Sequence, residues 1–507
     1  MEEKIVANDL LKIYEKVVVK GKPKKRIVTV LAWGDALQVG KKKGNEIPVR
    51  VNARFWRDGE YVSGWRDAFV SDRAKFMSKD SNEVVKFSIC DVGQGDASIL
   101  ETPKGKRVFV DCGENKLFAR YIAARYENRA ADNRLPVDAV VLTHGDRDHF
   151  GGLLEIQKSE EHEKRYKRIF IDPLAIYHSG LVKRKGKKDK EAFGATAALD
   201  GRAYAVDLVD DIAEFDPEVM NDDFKRLRAV IGRWKKDARI KKRGGITIKR
   251  LSARSDGSAF DFLSGEGIDV VVLAPIESTV GGAPSLPMYL KPAKAVPEAQ
   301  GEELDVNLKL SASYSASHTV NGNSIVLLVS YGNVRLLLTG DINQESEKAI
   351  LDRSVTEGIS LRADVLKAPH HGSSEFSTEF LEKMMPVVSV ISSGDESERV
   401  EYIHPRATLV GALGKYSRVP RPIVFITELV AFMKYRGLAV PLDKKIVTQK
   451  DKRFYAHERT SYGIVHFCFD KSRILVFTHS GKRDLKEAYA IKIDRDGSAS
   501  FDEVTIA

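Results

Sequence analysis

The eight residues Leu142-Thr143-His144-Gly145-Asp146-Arg147-Asp148-His149 constrain this chain more than any other stretch. They follow Val137-Asp138-Ala139-Val140-Val141-Leu142, an apolar run that reads as a buried strand. They precede Phe150-Gly151-Gly152-Leu153-Leu154, which reads as the start of a helix. Two His and two Asp thus fall within six positions on one strand-to-helix loop. His144 and Asp146 are two apart, so an extended backbone points them the same way. One Asp here is unremarkable, because Asp commonly caps a helix. Four ligand-type residues together are better explained by convergence on two neighbouring cations.

The rest of the composition bounds the setting. With 507 residues, the chain is long enough for about three domains. The 82 basic residues against 72 acidic leave a formal charge of +10, which informs only where it clusters. Three scattered cysteines, Cys90, Cys112 and Cys468, argue against a disulfide framework and against a thiolate zinc site. No apolar leader and no run of membrane-spanning length is visible, so the expectation is a cytoplasmic protein without a membrane partner.

The chain divides into three expected parts. Residues 1–82 read as a short amphipathic helix over 5–19 followed by a small SH3-like β-barrel, a form suited to contacting a protein partner. Residues 83–427 alternate strand and helix in a main α/β domain. Within it, 173–268 is a polar, basic insertion. Residues 428–507 read as a β-rich extension that completes or flanks the main domain.

The insertion holds two basic clusters. Positions 183–190 carry six basic residues, among them Lys183, Arg184, Lys185, Lys187 and Lys188. Positions 225–243 carry ten, among them Arg233, Lys235, Lys236, Lys241, Lys242 and Arg243. Phe224, Leu227, Ile231, Trp234 and Ala238 recur there at steps of three and four, a helical apolar stripe. An ordinary surface helix has this pattern. So does a basic arm that tracks phosphates, with Trp234 available for stacking on a base.

Further ligand-type residues lie just past apolar strands: Asp111, Asp341 and the pair His370-His371. Loops at strand ends are where rigid scaffolds place site residues. A two-metal hydrolase needs a carboxylate bridging both cations, and terminal ligands that leave a water between them. Asp341 has the context of the bridge. His144 and Asp146 suit one ion, and Asp148, His149 and His371 the other. His371 is preferred over His370 because it directly precedes the Gly372 turn.

The ordered motifs Asp91-Val-Gly-Gln-Gly-Asp96, Asp111-Cys-Gly113, Thr143 to His149, Asn321 to Ser324, Leu338-Thr-Gly-Asp341, Lys367 to Ser373 and His404-Pro405 resemble the metallo-β-lactamase-fold hydrolase domain of ComEC-type competence proteins. The resemblance spans about 84–427, interrupted by the basic insertion. It implies an αββα sandwich and divalent-metal-dependent hydrolysis of phosphodiesters in nucleic acid, with DNA, single- or double-stranded, as partner. It also implies catalytic roles for Asp148 and Asp341, with Lys367 and His404 stabilising charge on the phosphate or leaving group. Asp91, Asp96, Asp111, Asn321, Ser324 and His370 would support the ligands from behind. The membrane channel of those proteins is not seen here, so DNA uptake is not implied. The wider fold often has His where Asp146 stands, and supplies another His before the bridging Asp. Here that region offers Asn321-Gly322-Asn323-Ser324 with His318 nearby, and whether His318 or His370 reaches the metal stays open. An oxygen-rich shell favours Mn²⁺, with Zn²⁺ or Mg²⁺ as alternatives. Two other functions fit the residues: hydrolysis of a small phosphodiester or lactone, and non-catalytic nucleic-acid binding.

Overall fold

The computed structural model describes residues 1–57, 60–186, 192–255, 257–292, 310–394, 404–429, 432–439, 454–461, 463–479 and 487–507. Two sheets make its centre. The first has ten strands, in the spatial order Thr247–Arg250, Ala175–His178, Ala139–Leu142, Arg107–Cys112, Ala97–Glu101, Val85–Cys90, Ile464–Phe469, Arg473–His479, Ala488–Ile493 and Ala499–Asp502. The second has six: Ile268–Ala274, Val326–Tyr331, Val334–Leu338, Val365–Lys367, Val388–Ile391 and Ile423–Ile426.

Strand alternation explains why the sheets face each other. In Ala139–Leu142, Ala139 and Val141 enter a core shared by both sheets, while Val140 and Leu142 enter a second core under helices. The run is apolar throughout because both its faces are covered. Phe87, Leu100 and Val110 of the first sheet meet Leu327, Leu336 and Leu338 of the second in the shared core. Helices Lys116–Arg125, Arg147–Ser159 and Asp222–Lys236 cover the outer face of the first sheet. Gln344–Thr356, Thr378–Met384 and Ala407–Lys415 cover the second. The layers therefore run helices, sheet, sheet, helices.

Two expectations change. Residues 5–19 are not helical: Glu2–Val6 and Leu10–Val19 are strands of a seven-stranded N-terminal sheet. Leu10, Ile13, Tyr14 and Val17 match helical spacing, but Leu11 and Ile13 enter one core at a strand's period of two while Leu10 enters another. The β-branched run Val17-Val18-Val19 also suits an extended backbone. This sheet runs from Lys22–Ala32 at one edge to Phe76–Met77 at the other. Among the described residues, no pairing closes it into the expected barrel. The basic segment 173–268 is built into the fold: Ala175–His178 pairs in parallel with Ala139–Leu142, and Thr247–Arg250 pairs with Ala175–His178, so the segment supplies two strands at one edge of the first sheet.

The C-terminal hairpin also joins that sheet, Ile464–Phe469 lying antiparallel to Val85–Cys90. Asp91 ties this seam, accepting N–H bonds from Gly93 at 3.1 Å and Gly463 at 3.0 Å. Among the described residues, no helix is long and apolar enough to cross a membrane.

The helix layer on the second sheet buries an acid. Glu347 is fully enclosed and accepts the Ser377 N–H at 2.5 Å. Burial pushes its carboxyl up to about 8 from an ordinary 4.5. A raised folded value favours the fold fully below pH 4.5, and that contribution is lost as pH rises towards 8. Glu347→Gln is therefore expected to melt like the parent near pH 4 and to be more stable at pH 8, by on the order of 2–4 kcal/mol. Thermal melts at the two pH values check this.

Candidate metal centre

Parallel pairing places the ligand-type residues together. Asp111 ends the strand Arg107–Cys112, and His144 follows Ala139–Leu142, its parallel neighbour. On the facing sheet, Asp341 follows Val334–Leu338 and His371 follows Val365–Lys367, again parallel neighbours. All four leave the C-terminal ends of strands, where open α/β sheets gather ligand sites.

Asp341 Oδ2 is the meeting point. It lies 2.9 Å from His371 Nε2, 3.3 Å from His149 Nε2 and 3.9 Å from His144 Nε2. Asp148 Oδ2 is 3.4 Å from His371 Nε2 and 3.9 Å from His149 Nε2. Asp146 Oδ2 is 4.0 Å from His144 Nε2. Ligand atoms of His144, His149 and Asp341 lie within 4.8 Å of one another, as do those of Asp148, His149 and His371.

The other ring nitrogens are committed elsewhere. His149 Nδ1 donates to Asp111 Oδ2 at 2.8 Å, and His371 Nδ1 donates to the Ser392 carbonyl at 2.9 Å. His144 Nδ1 faces the hydroxyls of Thr143 at 3.1 Å and Ser324 at 3.2 Å. Those hydroxyls already donate, Thr143 to Asp111 at 2.7 Å and Ser324 to the Asn321 carbonyl at 2.7 Å. Their lone pairs are left for His144 Nδ1–H. Each ring is thereby fixed with Nε2 inward, as supporting partners of metal-bound histidines do. Among the described residues, none donates or accepts a hydrogen bond at the three buried Nε2 atoms or at Asp341 Oδ1. Buried polar atoms are rarely left so without a reason. Three imidazoles and carboxylates converging in this way fit divalent cations such as Zn²⁺ or Mn²⁺.

The electrostatics agree. Burial alone would push His149 and His371 down, but the carboxylates about them, Asp341 foremost, hold both well above the ordinary histidine range. His144, more weakly surrounded, is pushed down to about 3 by burial and by His149. The centre is built to enclose positive charge, as a proton or as a cation. At pH 7, uptake of Mn²⁺ by metal-free protein is therefore expected to release protons, because His149 and His371 must lose theirs to bind. Affinity should rise with pH. Calorimetry in buffers of different ionisation enthalpy measures the protons released.

Local packing holds the loop. Gly95 has φ +107°, and a Cβ there would lie 2.0 Å from the Asp148 carbonyl, so only glycine permits this approach to the ligand loop. Gly145 lies against Phe224, whose ring a Cβ would meet at 2.6 Å. The basic segment's helix thus packs directly on the metal loop. His370 and His371 both have positive φ, 45° and 51°. Non-glycine residues in that region cost of order 1 kcal/mol or more and cluster at functional sites.

The remaining expected residues fall in varied places. Asp111 is buried and orients His149 and Thr143, whose N–H it accepts at 2.8 Å. Asp96 faces His371 Nδ1 at 3.4 Å and is ion-paired to Lys367. Lys367 is 5 % exposed, donates to the Gly340 carbonyl at 2.9 Å and lies 3.5 Å from Asp341 Oδ1. Its ammonium therefore balances the Asp96 and Asp341 carboxylates from within. Asp91 accepts the Gly463 N–H at 3.0 Å and so ties the C-terminal seam. Asn321 bonds His370 Nε2 at 3.2 Å. His404 has its ring 5.7 Å from that of His370 and is pushed down to about 4 by burial and His370. His318 faces Glu375 at 3.6 Å and, among the described residues, joins no three-ligand cluster.

Among the expected nucleic-acid residues, the structure corrects Trp234. Trp234 is 2 % exposed in the core under the helices, so it has no face free for a base. Arg233 pairs with Glu160, Lys235 with Asp211 and Glu214, Arg184 with Asp207, and Arg243 with Asp172. Lys185, Lys236, Lys241 and Lys242 are exposed. Lys187 and Lys188 lie outside the described residues. Lys183 was grouped with this cluster, yet it reaches the centre and contacts Asp146 Oδ1. Ser392 and Glu375 were not anticipated: Ser392, 21 positions beyond His371, carries no local signal, whereas Glu375 follows directly on the His370-His371 turn. Thr143 lies beside His144, and its position in the loop was the available signal.

Facing sheets with a His/Asp cluster at their strand ends define a metal-binding α/β protein. Residues 90–217 match the family model of the metallo-beta-lactamase superfamily. Over 98 residues, 19% of this chain, it is 32% identical to ComE operon protein 3 of Bacillus subtilis (strain 168). Over 86 residues, 17% of the chain, it is 37% identical to Competence protein ComA of Neisseria gonorrhoeae. The chain spans 12% of the length of each of these curated relatives. The resemblance to a metallo-β-lactamase-type domain and to competence proteins therefore holds in sequence as well as in motif.

Proposed function

We propose that this chain is a metal-dependent phosphodiesterase that cleaves DNA. The observation that carries the reading is the convergence of three unpartnered imidazole nitrogens on one buried carboxylate, Asp341. His144, Asp146, Asp148, His149, Asp341 and His371 are the residues we assign to two divalent cations, with Mn²⁺ favoured by the carboxylate share of that set. Such cations supply a water acidic enough to attack phosphorus and neutralise charge on its oxygens. The chain's own residues prepare this. Asp111 and Ser392 fix the imidazoles, and Lys367 and Asp96 settle the charge behind Asp341 and His371. The competence relatives support nucleic acid as the substrate class, and the surplus of basic residues agrees with it.

A second reading draws on a specific observation. The basic segment packs onto the metal loop through Phe224, and much of its positive charge is neutralised within the protein. A small phosphodiester suits such a covered centre better than a long duplex does.

One experiment separates the two. Metal-stripped protein is given Mn²⁺, Mg²⁺ or Zn²⁺ with end-labelled single- or double-stranded DNA, and in parallel with a cyclic dinucleotide. Metal-dependent DNA cleavage absent from Asp341→Ala supports the nuclease. Turnover of the small ester alone moves the assignment to the second reading. Stoichiometric metal with neither activity overturns both.

A further inference from the structure

We propose that Lys183 competes with a divalent cation for Asp146, so that the two halves of the centre fill with unequal affinity. This rests on the metal-centre reading above.

The halves differ in what surrounds them. Asp148, His149, Asp341 and His371 form one half, their facing atoms 2.9–3.9 Å apart. Lys367 lies 3.5 Å from the far oxygen of Asp341, Oδ1, but among the described residues no lysine ammonium contacts Asp148 Oδ2 or the two Nε2 atoms. The other half, His144 with Asp146 and a share of Asp341, is already engaged. Asp146 Oδ1 holds the Lys183 ammonium. With the Asn321 amide oxygen turned to accept from His370 Nε2, its nitrogen donates to Asp146 Oδ2 at 3.2 Å. A cation arriving there meets a carboxylate that has a positive partner on one oxygen and a donor on the other.

Lys183 is held where it is. Leu181 and Val182 before it are 4 % and 2 % exposed. Its carbonyl accepts the Asn221 N–H at 3.0 Å, and the next N–H, of Arg184, donates to the Ala192 carbonyl at 2.7 Å. The main chain is thus pinned on both sides, and the lysine stem spans the gap to Asp146.

Charge counting gives the same direction. Five carboxylates stand in the cluster, those of Asp96, Asp111, Asp146, Asp148 and Asp341, against two ammonium groups, Lys183 and Lys367. With neutral imidazoles, that leaves three negative charges. One divalent cation reduces the excess to one, and a second overshoots to a net positive centre while Lys183 remains. Enclosing excess charge of one sign in a buried site is costly. The second cation therefore binds more weakly, and it binds by displacing the ammonium from Asp146. Both carboxylate and lysine are partly exposed, so the displaced head has water to enter.

The test titrates metal-stripped protein with Mn²⁺ by calorimetry, with a chromophoric chelator as a check on the tighter site. The parent is expected to show two sites differing by at least about tenfold. Lys183→Met, which keeps the stem and removes the charge, should tighten only the weaker site, by roughly 10–100-fold, the range over which partners of a ligand tune metal affinity. Adding Asp146→Asn to that variant should abolish the gain. Circular-dichroism melts establish that each variant is folded, and Lys183→Gln, with a polar head retained, should shift the weaker site in the same direction. Equal sites in the parent overturn the proposal, as does a folded Lys183→Met whose weaker site is unchanged or weaker still. A protein that takes up no divalent cation overturns the metal-centre reading itself, which is a distinguishable result.

Discussion

Asp341→Ala is expected to lower metal-dependent phosphodiester hydrolysis by on the order of 10³-fold, the scale on which preorganised charge at a reacting centre acts. Asp341 Oδ2 lies within 4 Å of all three inward imidazole nitrogens. Its removal takes the shared ligand from both halves of the centre. It also leaves His149 and His371 without the carboxylate that most favours their charged forms. Asp341→Asn refines the result, because the amide keeps the shape and loses the charge. Metal content of the purified variants, measured beside initial rates, gives the check. Full activity in a folded Asp341→Ala protein would remove the basis for the proposed function.

The second large effect concerns stability. Trp234→Ala is expected to cost about 3–5 kcal/mol, as removal of a large buried aromatic does. Trp234 packs with Phe224, Leu227, Val230 and Ile231 in the core between the first sheet and its helices. Phe224 on the same helix face also seats Gly145 of the metal loop, so loosening this helix loosens the centre. Urea unfolding of the variant measures the cost. Affinity for single-stranded DNA, counted per folded molecule, should stay within about twofold of the parent, whereas loss of a stacking contact would cost about 1–3 kcal/mol per base. A stable variant with weakened DNA binding would return Trp234 to the surface role expected from its sequence setting.

These two residues show how differently the sequence speaks. The metal loop was legible because its chemistry is local: four ligand-type side chains in six positions have few other uses. Asp341 and His371 were legible because each follows an apolar run, where strands end and sites begin. The stripe through Trp234 was equally legible as one face of a helix, but a stripe does not say what it packs against. Only the sheet beneath it decides that the tryptophan is core, and only the fold brings Arg233, Lys235 and Arg243 onto acidic partners. The strand Leu10–Val19 was misread for a related reason. Its apolar residues satisfy both a helical and an extended period, and the neighbouring strands, distant in sequence, break the tie.

The sequence by itself determined which residue types form the centre, because coordination chemistry depends on side chains that short motifs spell out. It also determined the buried strands, because a strand covered on both faces must be apolar along its length. Tertiary structure alone decided the charge environment: Lys183 on Asp146, Lys367 turned inward onto Asp96, and Trp234 closed into the core. Coulomb forces and packing act over a few ångströms of space, and residues 37 or more positions apart in the chain become neighbours only once both sheets have formed.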